Sequence, residues 1–198
     1  MIKNASEKHI PQIAAIHCKS LPDDFLPHLG RKFLEDIFYP GVLQSDQAKL
    51  IIDVDEHENV SGFIVMTKNS SQFLIELIKK YPFALFFNGI RSSFESINQF
   101  RNNLDIIYSA LSEKDSIDAG EIYIIAVDKF KRGSGIGKKL TLAGRQFLKD
   151  SNIWAIKIKT LASNTAWIEH FEQSGWELVN TFSQIGKTYV ILRDDLSE

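Results

Sequence analysis

The apolar residues recur at two periods, and the switches between them mark out the elements. A short strand opens the chain and gives way to a helix from about Ser6, with Ile10, Ile13, Ala14 and Ile16 on one face and Pro11 near the first turn. His17 and Cys18 end that helix. They read as a helix-terminal histidine and a small core thiol, because no neighbouring feature lowers a thiol pKa. Within 21–44, which carries Pro22, Pro27 and Pro40, a loop leads to a second helix that buries Leu29, Phe33, Leu34, Ile37 and Phe38. Asp23, Asp24 and His28 precede it, either solvated or placed to meet a cationic amine. Two strands, 50–54 and 60–66, predict a hairpin around an acidic tip at 55–59, read as a solubilising turn and not a metal site. Phe73, Leu74, Leu77 and Ile78 mark a helix stopped near Pro82. Phe83, Phe86, Phe87, Ile90, Phe94, Ile97, Leu104, Tyr108 and Leu111 then keep near-helical spacing. An apolar strand at 122–127, a helix carrying Leu140, Leu142, Ala143, Phe147 and Leu148, and an alternating strand at 153–159 follow in order. Another helix and a strand pair, 177–184 and 187–192 joined at Gly186, complete the chain.

Candidate chemistry sits between the strand at 122–127 and the helix behind it. Gly133, Gly135 and Gly137 alternate there among five cations from Lys129 to Lys139, with no acid. Strand, glycine turn and helix N-terminus make an anion cradle of unpaired N–H groups at the positive end of a helix dipole. The spacing is not that of a P-loop. Counting back from Gly137-Lys138 reaches Arg132 where glycine is needed, and Lys139 stands where Ser or Thr is needed. The dinucleotide fingerprint fails at Lys138. What remains is Arg132-x-x-Gly135-x-Gly137, which resembles the coenzyme A pyrophosphate loop of the GNAT acyltransferase superfamily. A second stretch resembles that family's other signature: Asn164 at a helix start, an aromatic residue at Phe171, and Gly175-Trp176 at the helix end. Ser163 or Asn164 suits the N-cap, and Gly175 suits the left-handed residue that ends a helix.

The resemblance implies an α/β (α+β) GNAT fold: a mixed central sheet of about six to seven strands flanked by helices. It covers the chain except for a helical insertion at about 70–117 between the third and fourth strands, inside a single domain, 1–198. The insertion's apolar face has three candidate covers: the parent domain, a second subunit in a homodimer, or the acceptor site as a lid. The resemblance also implies a site. The backbones of Ile125, Ala126 and Val127 would pair with the pantetheine amides of acetyl-CoA, and Asn164 and Phe171 would bind the same cofactor from the facing helix. The amides of Arg132, Gly133, Ser134, Gly135, Ile136, Gly137 and Lys138 would hold the pyrophosphate, with Lys131 and Lys138 adding charge. Glu121, eleven residues before Arg132, stands where the histone-acetylating branch carries its general base. One position departs from the family pattern. Many members have Tyr where this chain has Phe171, and Phe has no proton to give the departing thiolate.

The implied activity is acetyl-CoA-dependent N-acetylation of an amine by direct attack in a ternary complex. The acceptor is open among a small molecule, an amino sugar and a protein N-terminus. The alternative is a catalytically weak or silent acyl-CoA-binding module that senses or docks. Composition adds boundaries. A net charge of −2 argues against nucleic acid and anionic lipid as partners. One cysteine fits a reducing cytoplasm, and neither a signal peptide nor a run of bilayer length is evident. The run at 81–90 lacks the basic residues that would hold it on a membrane. No metal is expected.

Overall fold

The computed structural model describes residues 1–22, 24–82, 119–184 and 186–196. Its strands are β1 (Ile2–Asn4), β2 (Ala48–Val54), β3 (Val60–Thr67), β4 (Gly120–Val127), β5 (Ala155–Leu161), β6 (Glu177–Gln184) and β7 (Lys187–Asp195). They form one seven-stranded sheet in the order β1-β2-β3-β4-β5-β7-β6. Every neighbouring pair is antiparallel except β4 and β5, which run parallel. Parallel neighbours need a crossover, and the helix between them supplies it.

The helices are α1 (Ile10–Ser20), α2 (Phe25–His28), α3 (Arg31–Phe33), α4 (Tyr39–Gln44), α5 (Ser70–Lys80), α6 (Ile136–Asp150) and α7 (Thr165–Gln173). Two buried clusters lie on opposite faces of the sheet. One gathers Ile13, Phe33, Leu34, Phe38, Phe63 and Phe73 under α1 and α3 to α5. The other gathers Ile64, Met66, Leu140, Leu148, Ile156 and Phe171 under α6 and α7. The hairpin strands β2 and β3 lie between the two clusters, so nearly every position of both is buried.

Two elements differ from their sequence reading, while the helix marked by Phe73, Leu74, Leu77 and Ile78 is present as read. The second helix runs on through Pro40, because a π-helical turn, Leu34–Phe38, comes first: Tyr39 N reaches back to Leu34 O, and the missing N–H of Pro40 falls at the start of α4. In α6 the buried set is Ile136, Leu140, Gly144 and Leu148, while Leu142 is 56% exposed. The insertion begins as a packed helix, with Asn69 Oδ1 accepting from Gln72 N at 2.9 Å to cap α5. Phe73 and Leu77 of α5 are buried, and Phe73 meets Phe38 and Tyr123 at ring-centroid distances of 6.1 and 5.7 Å. The apolar series from Phe83 to Leu111, and with it the dimer or lid expected there, lies outside the described residues, as does Asp23.

Helix α6 lies very close on the sheet. A Cβ on Gly144 would stand 2.6 Å from Met66 Sδ, and one on Gly120 would stand 2.4 Å from Leu148 Cδ2. Arg145 also pairs with Asp194 on β7. These contacts fix where the N-terminus of α6 points.

Candidate active site

β4 and β5 share only three paired positions. Gly120, Glu121 and Ile122 face Ile156, Lys157 and Ile158, and beyond them β4 runs to Val127 and β5 to Leu161 without another pair. The parting has a local cause. On its other edge β4 meets β3, where Val65 faces Ile124 but Met66 faces Ile122, so Tyr123 is an extra residue. Such a bulge bends its strand and sharpens the twist. The two strands therefore open into a V whose apex is at Ile122 and Ile158.

The polar groups lining this V follow from register. Asp128 N donates to Ser61 O at 2.9 Å beside the Gly62–Val127 pair, so that pair exchanges no bonds of its own. The N–H and C=O of Val127 turn away from β3 and into the gap, and those of Ile125 do the same by alternation. The main chain of Ala126 turns the other way, towards Phe63. Val127 O is partly taken, accepting from Ser20 Oγ and Arg132 Nε, each at 3.3 Å.

Past Val127 the chain makes a locked turn. Asp128 Oδ1 accepts from Phe130 N at 2.9 Å, and Asp128 O accepts from Lys131 N at 2.8 Å. Ser134 Oγ donates to Lys131 O. Gly135 has φ +77, a left-handed conformation that glycine adopts without strain, and it caps α6. The first amide of α6 to reach a carbonyl of its own helix is that of Lys139, to Gly135 O at 3.1 Å. The N–H groups of Ile136, Gly137 and Lys138 precede it and have none. No atom lies within 4 Å of a Cβ placed on Gly133, Gly135 or Gly137, so open space faces the loop. Arg132, Lys131 and Lys138 are exposed around that space, while the Ile136 side chain is buried against Gly62. Free amides, room and a positive helix end fit a diphosphate group.

Glu121 sits one position from the apex. Ile156 and Ile158 point into the α6 face, so Lys157 and Lys159 point to the other, and Lys159 Nζ is 3.9 Å from Glu121 Oε1. Glu121 is 5% exposed, and its Oε2 is buried with no hydrogen-bond partner among the described residues. Across the gap, Asn164 stands at the N-cap of α7, but its side chain does not cap the helix. Asn164 Nδ2 donates to Thr160 Oγ1 at 3.3 Å, tying the start of α7 to the free half of β5. Phe171 is enclosed, its ring 4.6 Å from that of Trp176 and 5.0 Å from that of Trp167. Gly175 has φ +89, as its place at the helix end predicts.

His17 and Cys18 are apart from this chemistry. His17 is fully buried, shares a 2.8 Å hydrogen bond with the Tyr39 hydroxyl through Nδ1, and burial pushes its pKa down to about 4. Burial also raises the pKa of the Cys18 thiol, away from nucleophilic use. Among the described residues no group of His, Cys, Asp and Glu could hold a metal ion, and no helix is long and apolar enough to cross a membrane.

No family profile matches the chain. A mycothiol acetyltransferase of Rhodococcus erythropolis is 32% identical to it over 65 residues, which are 33% of this chain and 22% of that protein. The chain thus spans well under half the length of the curated relatives it matches. Over 100% of both chains it aligns with a crystal structure of an acetyltransferase, at 17% identity and a TM-score of 0.65. An acetyltransferase of Bacillus anthracis solved with acetyl coenzyme A aligns over 81% of this chain and 69% of its own, at 18% identity and a TM-score of 0.50. This is the GNAT fold.

Within that fold, three contributors to the site carried no readable signal. Tyr123 makes the bulge, but it lies in the apolar run 122–127, where one extra residue disturbs no alternation. Ser20 reaches Val127 O only because α1 ends over the mouth of the V, and Thr160 meets Asn164 only once β5 and α7 are folded. Lys159 was visible as a polar position of β5, but its approach to Glu121 depends on the parallel register.

Proposed function

We propose that this chain is a cytoplasmic N-acetyltransferase that moves an acetyl group from acetyl-CoA to a primary amine. The observation that carries this reading is the V between β4 and β5, which opens directly onto a glycine loop and the free amides of α6. Named acetyltransferases among both the relatives and the structural neighbours support it.

Acetyl-CoA supplies the acyl group as a thioester. The amides of Gly133, Gly135, Gly137 and their neighbours take the diphosphate, and Arg132, Lys131 and Lys138 balance its charge. Within the V, the inward-turned main-chain groups of Ile125 and the N–H of Val127 pair with the extended arm of the donor, as an edge strand pairs with a peptide. A lysine-like amine has a pKa near 10.4, so roughly one molecule in 2,500 is neutral at pH 7. Glu121, with one carboxylate oxygen lacking a donor, accepts the proton of the attacking amine, directly or through a water.

The departing thiolate finds no proton at Phe171. For a thiol pKa near 8.5, leaving unprotonated costs about 2 kcal/mol at pH 7, which slows the step without forbidding it. The same residue favours a second reading, a GNAT module that binds acyl-CoA but turns it over weakly or not at all. An acceptor panel of small amines, amino sugars and peptides with free N-termini, followed by free-thiol release from acetyl-CoA, separates the two. Release that depends on one class of amine supports the enzyme. CoA binding without release for any acceptor supports the second reading.

A further inference from the structure

The largest apolar exposure in the loop has no role in the reading above. Phe130 is 83% exposed, more than any other large hydrophobic side chain among the described residues. Its display is built into the turn. Asp128 anchors to Ser61 O through its own N–H, receives Phe130 N on its carboxylate, and receives Lys131 N on its carbonyl. This fixes the 3-10 turn Lys129–Lys131 with the phenyl ring outward, while nothing on the sheet covers it. One face of the ring is already engaged: Lys129 Nζ stands over it, 4.7 Å from the centroid. The cations around it are not equivalent. Asn59 and His57 amides hold the Asp55 carboxyl below its usual range, and Lys131 adds to this, so Lys131 is shared with the β2–β3 tip. Lys129 has no acid close to it in any described ion pair.

An outward aromatic ring backed by an ammonium, a few residues before a diphosphate cradle, matches one ligand chemistry. A nucleotide coenzyme carries a flat base one ribose beyond its diphosphate, and coenzyme A carries a further phosphate on that ribose. Base-on-aromatic stacking tolerates an exposed platform, because each face of a purine needs only area. We propose that Phe130 stacks on the adenine of the donor, and that the Lys129 ammonium, which stands over the ring in the free chain, swings past the ring edge to pair with the ribose 3′-phosphate. The proposal rests on the acyl-CoA reading of the glycine loop.

Calorimetry with coenzyme A, dephospho-coenzyme A and 4′-phosphopantetheine tests it without needing turnover. In the Phe130→Ala variant both nucleotides should bind roughly tenfold more weakly, and phosphopantetheine should bind as it does to the unmodified chain. Phe130→Trp should keep the nucleotide affinity. Lys129→Met should lower coenzyme A to the level of dephospho-coenzyme A and leave the latter nearly unchanged. Because the ring is exposed, unaltered thermal melting is expected for each variant. If the unmodified chain binds coenzyme A and Phe130→Ala binds it equally well, the stacking proposal is wrong. If the unmodified chain binds none of the three ligands, the acyl-CoA reading falls, and the proposal with it.

Discussion

Gly135 offers the sharpest test of the anion cradle, because one atom exchange there isolates charge. Its φ of +77 is left-handed, and a Cβ would point into open space with nothing within 4 Å. Asn and Asp enter that backbone region more readily than other non-glycine residues. Gly135→Asn and Gly135→Asp should therefore fold alike, each losing on the order of 1 kcal/mol, as thermal denaturation would show. They differ in the ligand they admit. Two unit charges about 6 Å apart repel by roughly 3 kcal/mol at an effective dielectric near 20. On that scale Asp should bind coenzyme A about a hundredfold more weakly than Asn. The gap should narrow in high salt, since the loop is exposed and its field is screened. Calorimetric titration of both variants at low and high salt reads the ratio directly. Equal affinities for the two variants at low salt would refute the claim that this helix end holds the diphosphate.

Glu121→Gln should lower kcat by about 10²- to 10⁴-fold while leaving the KM for acetyl-CoA close to its original value, in steady-state assays of thiol release. An unchanged kcat would remove Glu121 from proton transfer. His17 makes folding stability pH-dependent. Burial depresses its folded pKa from 6.5 to about 4, so the unfolded chain binds the extra proton, and its contribution is full above the unfolded value and lost as pH falls through that interval. The loss totals roughly 3 kcal/mol, and urea melts of His17→Asn, which places an amide near Nδ1, should lack this slope; a slope equal to that of the unmodified chain would show that other groups set it. Gly120→Ala should destabilise the chain by about 1–3 kcal/mol, because its Cβ would lie 2.4 Å from the fully buried Leu148. A melting temperature equal to the original would mean that α6 is free to shift on the sheet.

The fold was legible wherever a local rule decides conformation. Glycine spacing marked the loop, Gly175 marked a helix end, and the hairpin of β2 and β3 followed from two apolar runs around an acidic turn. Reading failed where long-range geometry decides. The helical run continues through Pro40, because the π-turn before it shifts the hydrogen-bond ladder so that its missing N–H costs nothing, and nothing local announces that turn. Leu142 looked like core by its place in the apolar stripe, yet the buried line of α6 runs through Gly144 instead, where the backbone must approach Met66. An apolar-stripe count passes over a glycine, although here it marks the closest contact of the helix. In the same way, Asn164 was legible as the start of α7, but the choice of Thr160 over a helix amide as its partner depends on where β5 ends.

These features meet in one causal chain that begins at a sheet defect. A parallel pair without the bulge would continue past Ile122 and Ile158, and the main-chain groups of Ile125 and Val127 would be consumed by β5. Tyr123 prevents this by adding a residue on the β3 side, where Val65 and Met66 take up the shift. Tyr123 is itself braced between Phe38 and Phe73, at 6.3 and 5.7 Å, so the bulge is held by the same aromatic cluster that anchors the first turns of the insertion through α5. Helix α5 and the bulged strand of the site thus share one ring contact, Phe73 on Tyr123.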